Sequence, residues 1–297
     1  MASAYISSIE LPHRRLAATL RDYCILTKPE VNLLILMSTS AGYYLGGRGP
    51  FRVAGLAHTL IGTLLVASGT ATLNQWMERS HDAGMRRTAA RPLPAGRLAP
   101  RAAASFGFLL GAGGVAYLGG FVNWEAALLA LLTLLSYLLI YTPLKRKTSL
   151  CTLLGAFPGA TPTLIGWAAS AGRIDGRAWA LFTILFLWQF PHFLSIALMY
   201  REDYRRAGYR MLPAFDRDTS FTRTEIVMFS VVLIIVTIFS AGGGTEHVIA
   251  MAIAGSFLLY HSLPLLGSDS TKHSAHLVHV SVIYLPVVLG IMIAGKG

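Results

Sequence analysis

The stretch from Asn74 to Gly96 reads NQWMERSHDAGMRRTAARPLPAG, and its position decides how the rest of the chain is read. It follows a long apolar run, Phe51 to Leu73, and is dense in carboxylates and arginines. Asn74, Glu78 and Asp82 stand four residues apart. If the run continues here as a helix, the three side chains share one face, with neighbouring pairs roughly 5–6 Å apart. Two carboxylates that close repel unless something positive sits between them. Mg²⁺ takes oxygen ligands and is usually held by one or two carboxylates together with substrate phosphates. Arg79, Arg86, Arg87, Arg91 and Arg97 surround the pair, and guanidinium forks suit phosphate oxygens. The sharp reading is a Mg²⁺-diphosphate site at a membrane surface. The plain one is a basic loop whose charges pair locally.

Composition places that stretch in a membrane protein. Only 13% of the 297 residues are charged, too few to cover a soluble protein of this size, and the mean hydropathy is +0.55. The formal charge of +11 lies between apolar runs, which points to cytoplasmic loops and anionic lipid or substrate, not nucleic acid. Cys24 and Cys151 have no metal-ligand spacing and make no disulfide framework. Residues 1–27, with Glu10, His13, Arg14, Arg15, Arg21 and Asp22, lack the apolar core of a signal peptide and read as an interfacial arm. Residues 28–297 then form a single transmembrane domain.

A spanning helix needs about 20 mostly apolar residues. Nine candidates follow: Val31–Leu45, Phe51–Met77, Ala102–Phe121, Trp124–Thr142, Leu150–Ala171, Ala178–Tyr200, Glu225–Ala241, Glu246–Leu266 and Ala275–Ala294. With the N-terminus cytoplasmic, that side collects the leader, the 78–101 loop, Lys145–Lys147, the 201–223 loop and Lys272. The other side keeps Arg48, Arg52, Arg173, Arg177 and Lys296, a strong positive-inside asymmetry. The two longest polar loops, after spans 2 and 6, fall on one face, which hints at a duplicated four-helix unit.

Span 6 ends in YREDYRRAGYRMLP, Tyr200 to Pro213, repeating the grammar of the first loop: Glu202 and Asp203, then Arg205, Arg206 and Arg210. Adjacent residues point about 100° apart on a helix, so one of the two carboxylates reaches a shared metal directly. Two such clusters facing one cavity can hold a diphosphate through Mg²⁺ and stabilise it as a leaving group. Between them, YTPLKRKT sets Lys145 and Arg146 as diphosphate contacts, with Lys147 a topogenic charge. Inside span 6, Trp188, Gln189 and His192 flank Pro191, and polar groups at membrane depth are functional hypotheses by default. A hydrogen bond to a neighbouring helix is the plain reading of His192. Gly155, Gly159 and Gly166 give span 5 a smooth face for close helix packing or a flat ligand. Trp76, Tyr141, Trp188, Phe190, Phe193 and Tyr200 line a cation-shielding cavity on one reading and form an interfacial belt on the other.

The motifs ERxxDxxMRRTxxRPLPxGR (Glu78–Arg97), YTPLKRKT (Tyr141–Thr148), GAxPTLIGW (Gly159–Trp167), FLWQFPHF (Phe186–Phe193), DYRRAGYRMLP (Asp203–Pro213) and SVIYLP (Ser281–Pro286) resemble the UbiA superfamily of intramembrane prenyltransferases. WQxPHF and AGxxMLP favour its haem-farnesylating branch. One departure is Ser80, where members of that branch carry an acidic residue; Glu78 and Asp82 still supply the pair. The resemblance implies an all-α integral membrane protein with about nine transmembrane helices in a UbiA-type bundle around a central cavity. It implies Mg²⁺ held by Asn74, Glu78, Asp82, Glu202 and Asp203, which with His192 make the catalytic set. Arg79, Arg86, Arg87, Arg91, Lys145, Arg146 and Arg206 hold diphosphate, and Trp188, Gln189 and His192 meet the acceptor. His273, His276 and His279 are further candidate haem contacts. Farnesyl diphosphate, haem B and water would give haem O and diphosphate, in a bacterial inner membrane, with haem A synthase or an oxidase subunit as partners. The competing classes are a prenyltransferase for a quinone or aromatic precursor, and a transporter. A transporter places its coupling carboxylates near the bilayer midplane, whereas these carboxylates sit at one surface.

Overall fold

The computed structural model describes residues 12–296, and among them every regular element is helical. Glu10 and the rest of the leader up to residue 11 lie outside the described residues. An N-terminal helix α1 (Pro12–Thr27) is followed by α2 (Pro29–Gly46), α3 (Val53–Asp82), α4 (Pro100–Phe121) and α5 (Trp124–Leu135). The chain of α5 widens into a π-helical turn, Ser136–Tyr141, and ends as α6 (Thr142–Leu144). Then come α7 (Cys151–Ala171), α8 (Gly176–Met199), the short α9 (Arg201–Arg206), α10 (Ser220–Phe239), α11 (Thr245–Ser262), α12 (Pro264–Gly267) and α13 (Thr271–Ala294). The nine spans read from the sequence correspond in order to α2, α3, α4, α5–α6, α7, α8, α10, α11–α12 and α13. Seven of these are long and apolar enough to cross a membrane; α2 and α7 are not among them.

Helix α8 is the axis of the bundle. In its apolar stretch 72% of the residues are buried, against 17–39% in the other six membrane-length helices. Its core side chains, from Leu181 to Leu198, pack against α7, α10 and α13. Helix α8 runs unbroken through Pro191, where the Ser195 hydroxyl donates to the Pro191 carbonyl at 2.7 Å. The outward faces of the surrounding helices carry large apolar groups such as Phe108, Phe121, Leu139, Ile253 and Ile283, as a lipid boundary requires.

The smooth face of α7 is filled by protein. A Cβ at Gly166 would overlap the Thr39 carbonyl of α2, and one at Gly159 would overlap the Gln189 side chain of α8. Small residues here let backbones approach where van der Waals contact must replace the hydrophobic drive of water. Close packing, not a flat ligand, explains the glycines.

The length of α3 sets the position of the polar face. Thirty residues make a helix of about 45 Å, against a hydrocarbon layer of about 30 Å. The last turns, which carry Asn74, Glu78 and Asp82, therefore reach the end of the bundle where the long polar loops gather. At that end α1 is tied down by an Arg97–Asp22 ion pair at 3.0 Å and by Gln75 donating to the Leu26 carbonyl at 2.8 Å. Leu16 and Leu20 of α1 face outward.

Gly166→Val places branched carbons against a backbone that cannot move without displacing α2, and overpacking of this kind costs about 3 kcal/mol. The expected outcome is a markedly lower melting midpoint in detergent. Gly113→Ala, inside α4 with open space around its added carbon, is expected to leave the midpoint equal or slightly raised.

Candidate active site

Asn74, Glu78 and Asp82 share one face of α3, and all three are buried. Three partners meet them. The Asn74 amide donates to Thr142 Oγ1 at 3.1 Å, and that hydroxyl in turn donates to the Tyr137 carbonyl at 2.8 Å, five residues back. The π-helical turn before Pro143 thus aims α6 at α3, and such turns recur at functional sites. Lys145 Nζ lies 2.9 Å from Glu78 Oε1 and donates to Oε2 at 3.1 Å, with the ammonium 4.5 Å from the Tyr141 ring centroid. Glu78 Oε1, although beside the ammonium, receives no directed hydrogen bond. Arg91 donates to Asp82 Oδ2 at 2.8 Å, because the loop after α3 folds back and is pinned by Thr88 donating to the Asp82 carbonyl.

A third cation, absent from the residues singled out in the sequence, completes the cluster. Lys28 adopts a left-handed backbone (φ 53°) between α1 and α2 and donates from Nζ to Asn74 Oδ1 at 3.3 Å. Burial pushes its ammonium down to about 7, and the charges of Arg91 and Lys145 push the same way against Glu78 and Asp82. Three cations crowded around two carboxylates repel one another until an anion joins them. The available signal was Lys28-Pro29 at the mouth of span 1: a charged residue fixed against the first turn of a membrane helix.

The second acidic motif divides. Asp203 is buried and ion-paired with Arg206, whereas Glu202 is 64% exposed and paired with Arg205 at 2.8 Å. Glu202 is turned outward, away from any shared ligand set, as expected for one of two adjacent helical residues. Arg87 joins the motifs: it donates to the Tyr204 hydroxyl at 3.2 Å and lies 4.9 Å from the Tyr200 ring centroid. The Arg210 N–H donates to the Lys145 carbonyl at 2.7 Å, so the loops after α3, α6 and α9 form one polar layer.

Of the arginines and lysines expected to hold diphosphate, Arg91 and Lys145 meet the carboxylates, and Arg87 and Arg206 flank them. Arg79 does not. It points about 100° around α3 from Glu78, donates to the Trp76 carbonyl at 2.7 Å, and lines an outer groove of about 720 Å³ with Arg101 and Ser105. Arg86 and Arg146 are exposed. Ser80 is also exposed and contacts His81 Nδ1 at 3.2 Å, so the family's acidic residue at this position would face away from Glu78 and Asp82.

The WQFPH groups are engaged with neighbouring helices. Trp188 Nε1 donates to the Ser281 carbonyl at 2.7 Å, His192 Nδ1 is 2.8 Å from Ser281 Oγ, and the Gln189 amide donates to the Ala156 carbonyl at 2.9 Å. Trp188 has spent its one donor, and His192 has Nε2 as its remaining ring nitrogen. The aromatic residues do not form one cavity wall: Phe190 stacks on Phe229 at 4.0 Å, Trp76 lines the outer groove, and Phe193 is 40% exposed.

The buried donors Asn74, Glu78, Asp82 and Asp203 are all oxygen ligands, which suits Mg²⁺. No three His, Cys, Asp or Glu side chains converge among the described residues. That open set fits an ion whose shell is completed by phosphate and water, not one held in an all-protein cage.

The UbiA prenyltransferase family model matches residues 35–283. The chain belongs to the UbiA prenyltransferase family. It is 44% identical to a protoheme IX farnesyltransferase of Solibacter usitatus over 289 residues, covering 93% of this chain and 99% of that one. A protoheme IX farnesyltransferase of Koribacter versatilis is 40% identical, with 99% of each chain covered. A UbiA homolog from Archaeoglobus fulgidus bound to GPP and Mg²⁺ shares the fold, with a TM-score of 0.66 at 14% identity, covering 91% of this chain and 99% of that one. The transporter reading is set aside by this membership.

Lys28→Met is expected to weaken binding of inorganic diphosphate with Mg²⁺ by roughly tenfold or more, as loss of a hydrogen bond between charged groups does. Arg146→Gln, on the exposed turn, is expected to change it by less than about threefold. Calorimetric titration of the purified protein distinguishes them.

Proposed function

We propose that this protein transfers a farnesyl group from farnesyl diphosphate to a vinyl group of haem B, with addition of water, giving haem O and diphosphate. The observation that carries the reading is the cluster of Lys28, Arg91 and Lys145 around buried Glu78 and Asp82, at the end of a bundle whose most similar relatives include protoheme IX farnesyltransferases. A UbiA homolog from Archaeoglobus fulgidus with the same fold is bound to GPP and Mg²⁺, which supports a prenyl diphosphate with Mg²⁺ as the ligand class here.

Asn74, Glu78, Asp82 and Asp203 would hold Mg²⁺, with Glu202 outside that set. When bound, the ion supplies positive charge for the departing diphosphate. Lys28, Lys145 and Arg91 bind the diphosphate oxygens and take up the negative charge that develops as the allylic C–O bond breaks, in a site dry enough for each interaction to count. Arg87 ties the two acidic loops together around it, and Arg206 pairs with Asp203 within the second. The electron pair of the haem vinyl group then forms the new C–C bond, and water adds to the resulting cation with loss of a proton. His192, oriented through Nδ1 by Ser281, presents Nε2 to the acceptor side, and Gln189 lies one turn away along the same helix. Trp188 positions His192 by stacking at 4.8 Å.

The polar layer faces the cytoplasm of a bacterial inner membrane, in keeping with the positive-inside asymmetry. Haem A synthase or an oxidase assembly is the class of partner that would consume the product.

Purified protein incubated with haem B, farnesyl diphosphate and Mg²⁺ is expected to yield a farnesylated, hydrated haem by mass spectrometry. Asp82→Ala is expected to lower the yield about a hundredfold or more while the protein stays monodisperse in detergent. Near-normal turnover of that variant would sink the proposed role of the acidic face. Diphosphate release without a new haem would move the acceptor to a quinone or other aromatic precursor.

A further inference from the structure

One buried polar group beside the site makes no directed hydrogen bond. Tyr209 is 4% exposed, and its hydroxyl lies beside the Glu78 carboxylate without the geometry of a directed hydrogen bond. Its placement is fixed from both sides. Gly208 turns the chain through a left-handed conformation (φ +73°), the Tyr209 N–H donates to the Tyr204 carbonyl at 2.9 Å, and the next N–H, of Arg210, donates to the Lys145 carbonyl at 2.7 Å. The ring meets Tyr204 edge-on at 5.9 Å and lies 5.8 Å from His81, the neighbour of Asp82. A phenol hydroxyl has one hydrogen to donate, and here no directed bond uses it.

A buried hydroxyl without a directed hydrogen bond costs about 1–3 kcal/mol, and phenylalanine would fill the same space without that cost. Glu78 Oε1, which also lacks a directed hydrogen bond, already faces Lys145. Lys28, Lys145 and Arg91 make the corner a place for an anion, and a neutral donor completes such a site without adding to the crowding of cations.

We infer that the Tyr209 hydroxyl donates a hydrogen bond to an oxygen of the bound diphosphate, making Tyr209 a direct contact of the leaving group. This rests on the diphosphate-binding reading given above and does not depend on the identity of the acceptor. The contact forms only with ligand present, which separates it from every structural tie in the polar layer.

The test is Tyr209→Phe, titrated calorimetrically with inorganic diphosphate at saturating Mg²⁺, together with its melting midpoint in the absence of ligand. The expected result is roughly tenfold weaker binding, about the value of one hydrogen bond to a charged group, with a midpoint equal to or above that of the parent protein. Unchanged affinity overturns the inference. So does weaker binding accompanied by a lower midpoint, which would mark a structural tie. A raised Mg²⁺ requirement with unchanged diphosphate affinity at saturation also overturns it, by placing the hydroxyl on Glu78. Failure of the parent protein to bind diphosphate is failure of the underlying reading and takes the inference with it, whereas an unchanged variant overturns the inference alone.

Discussion

The buried charges at the end of α3 are the constraint to which the rest of the polar face conforms. Glu78 is paired with Lys145, and Asp82 with Arg91, while Lys28 approaches the same face through Asn74. Ion pairs taken out of water repay their desolvation poorly, and apolar residues of similar volume often serve stability as well. Three cations against two carboxylates is a worse arrangement still. Nothing in folding calls for it, so its sense lies in what the site binds. An anion relieves the repulsion among the cations, and a hard cation relieves that between the carboxylates. A diphosphate carrying Mg²⁺ does both at once.

Much of this was legible because the physics involved is local. The four-residue spacing of Asn74, Glu78 and Asp82 puts them on one helical face wherever α3 lies, and apolar length marks the seven membrane-length helices found among the described residues to within about five residues. The same arithmetic also covers Arg79 and Ser80: both lie off that face, so helix geometry alone separates Arg79 from the diphosphate contacts. Loop cations are different. Nothing local distinguishes Arg91, which folds back onto Asp82, from Arg86, which stays exposed. That distinction depends on how residues 83–98 pack, with Met85 and Leu93 buried beneath the turn. The role of Lys28 is not local either. Its role depends on the α1–α2 turn meeting the far end of α3, a contact between residues 46 apart.

The polar groups of α8 show where a sound default misleads. Ionisable and amide groups at membrane depth are read first as functional. Here Trp188, Gln189 and His192 each use a donor or ring nitrogen to bond another helix, two of them to Ser281 of α13. In a bundle where water and lipid offer α8 no drive toward its neighbours, such bonds are part of what fixes its rotation. A functional role for His192 is compatible with this through its other nitrogen, because an imidazole anchored at Nδ1 has a defined orientation at Nε2. The structural tie and the chemical role then belong to opposite edges of one ring.

The two acidic motifs look alike in sequence but do different mechanical work. The first is part of a membrane helix whose rotation is set along its whole length, so Glu78 and Asp82 are held as firmly as the bundle. The second sits on α9, six residues long, which has too few turns to fix its own orientation. Its placement comes from outside: Arg87 against Tyr200 and Tyr204, and the backbone bond from Arg210 to Lys145. Neither of these ties uses Glu78, Asp82 or Asp203. The loops are thus joined by groups separate from the carboxylates and cations proposed to bind ligand.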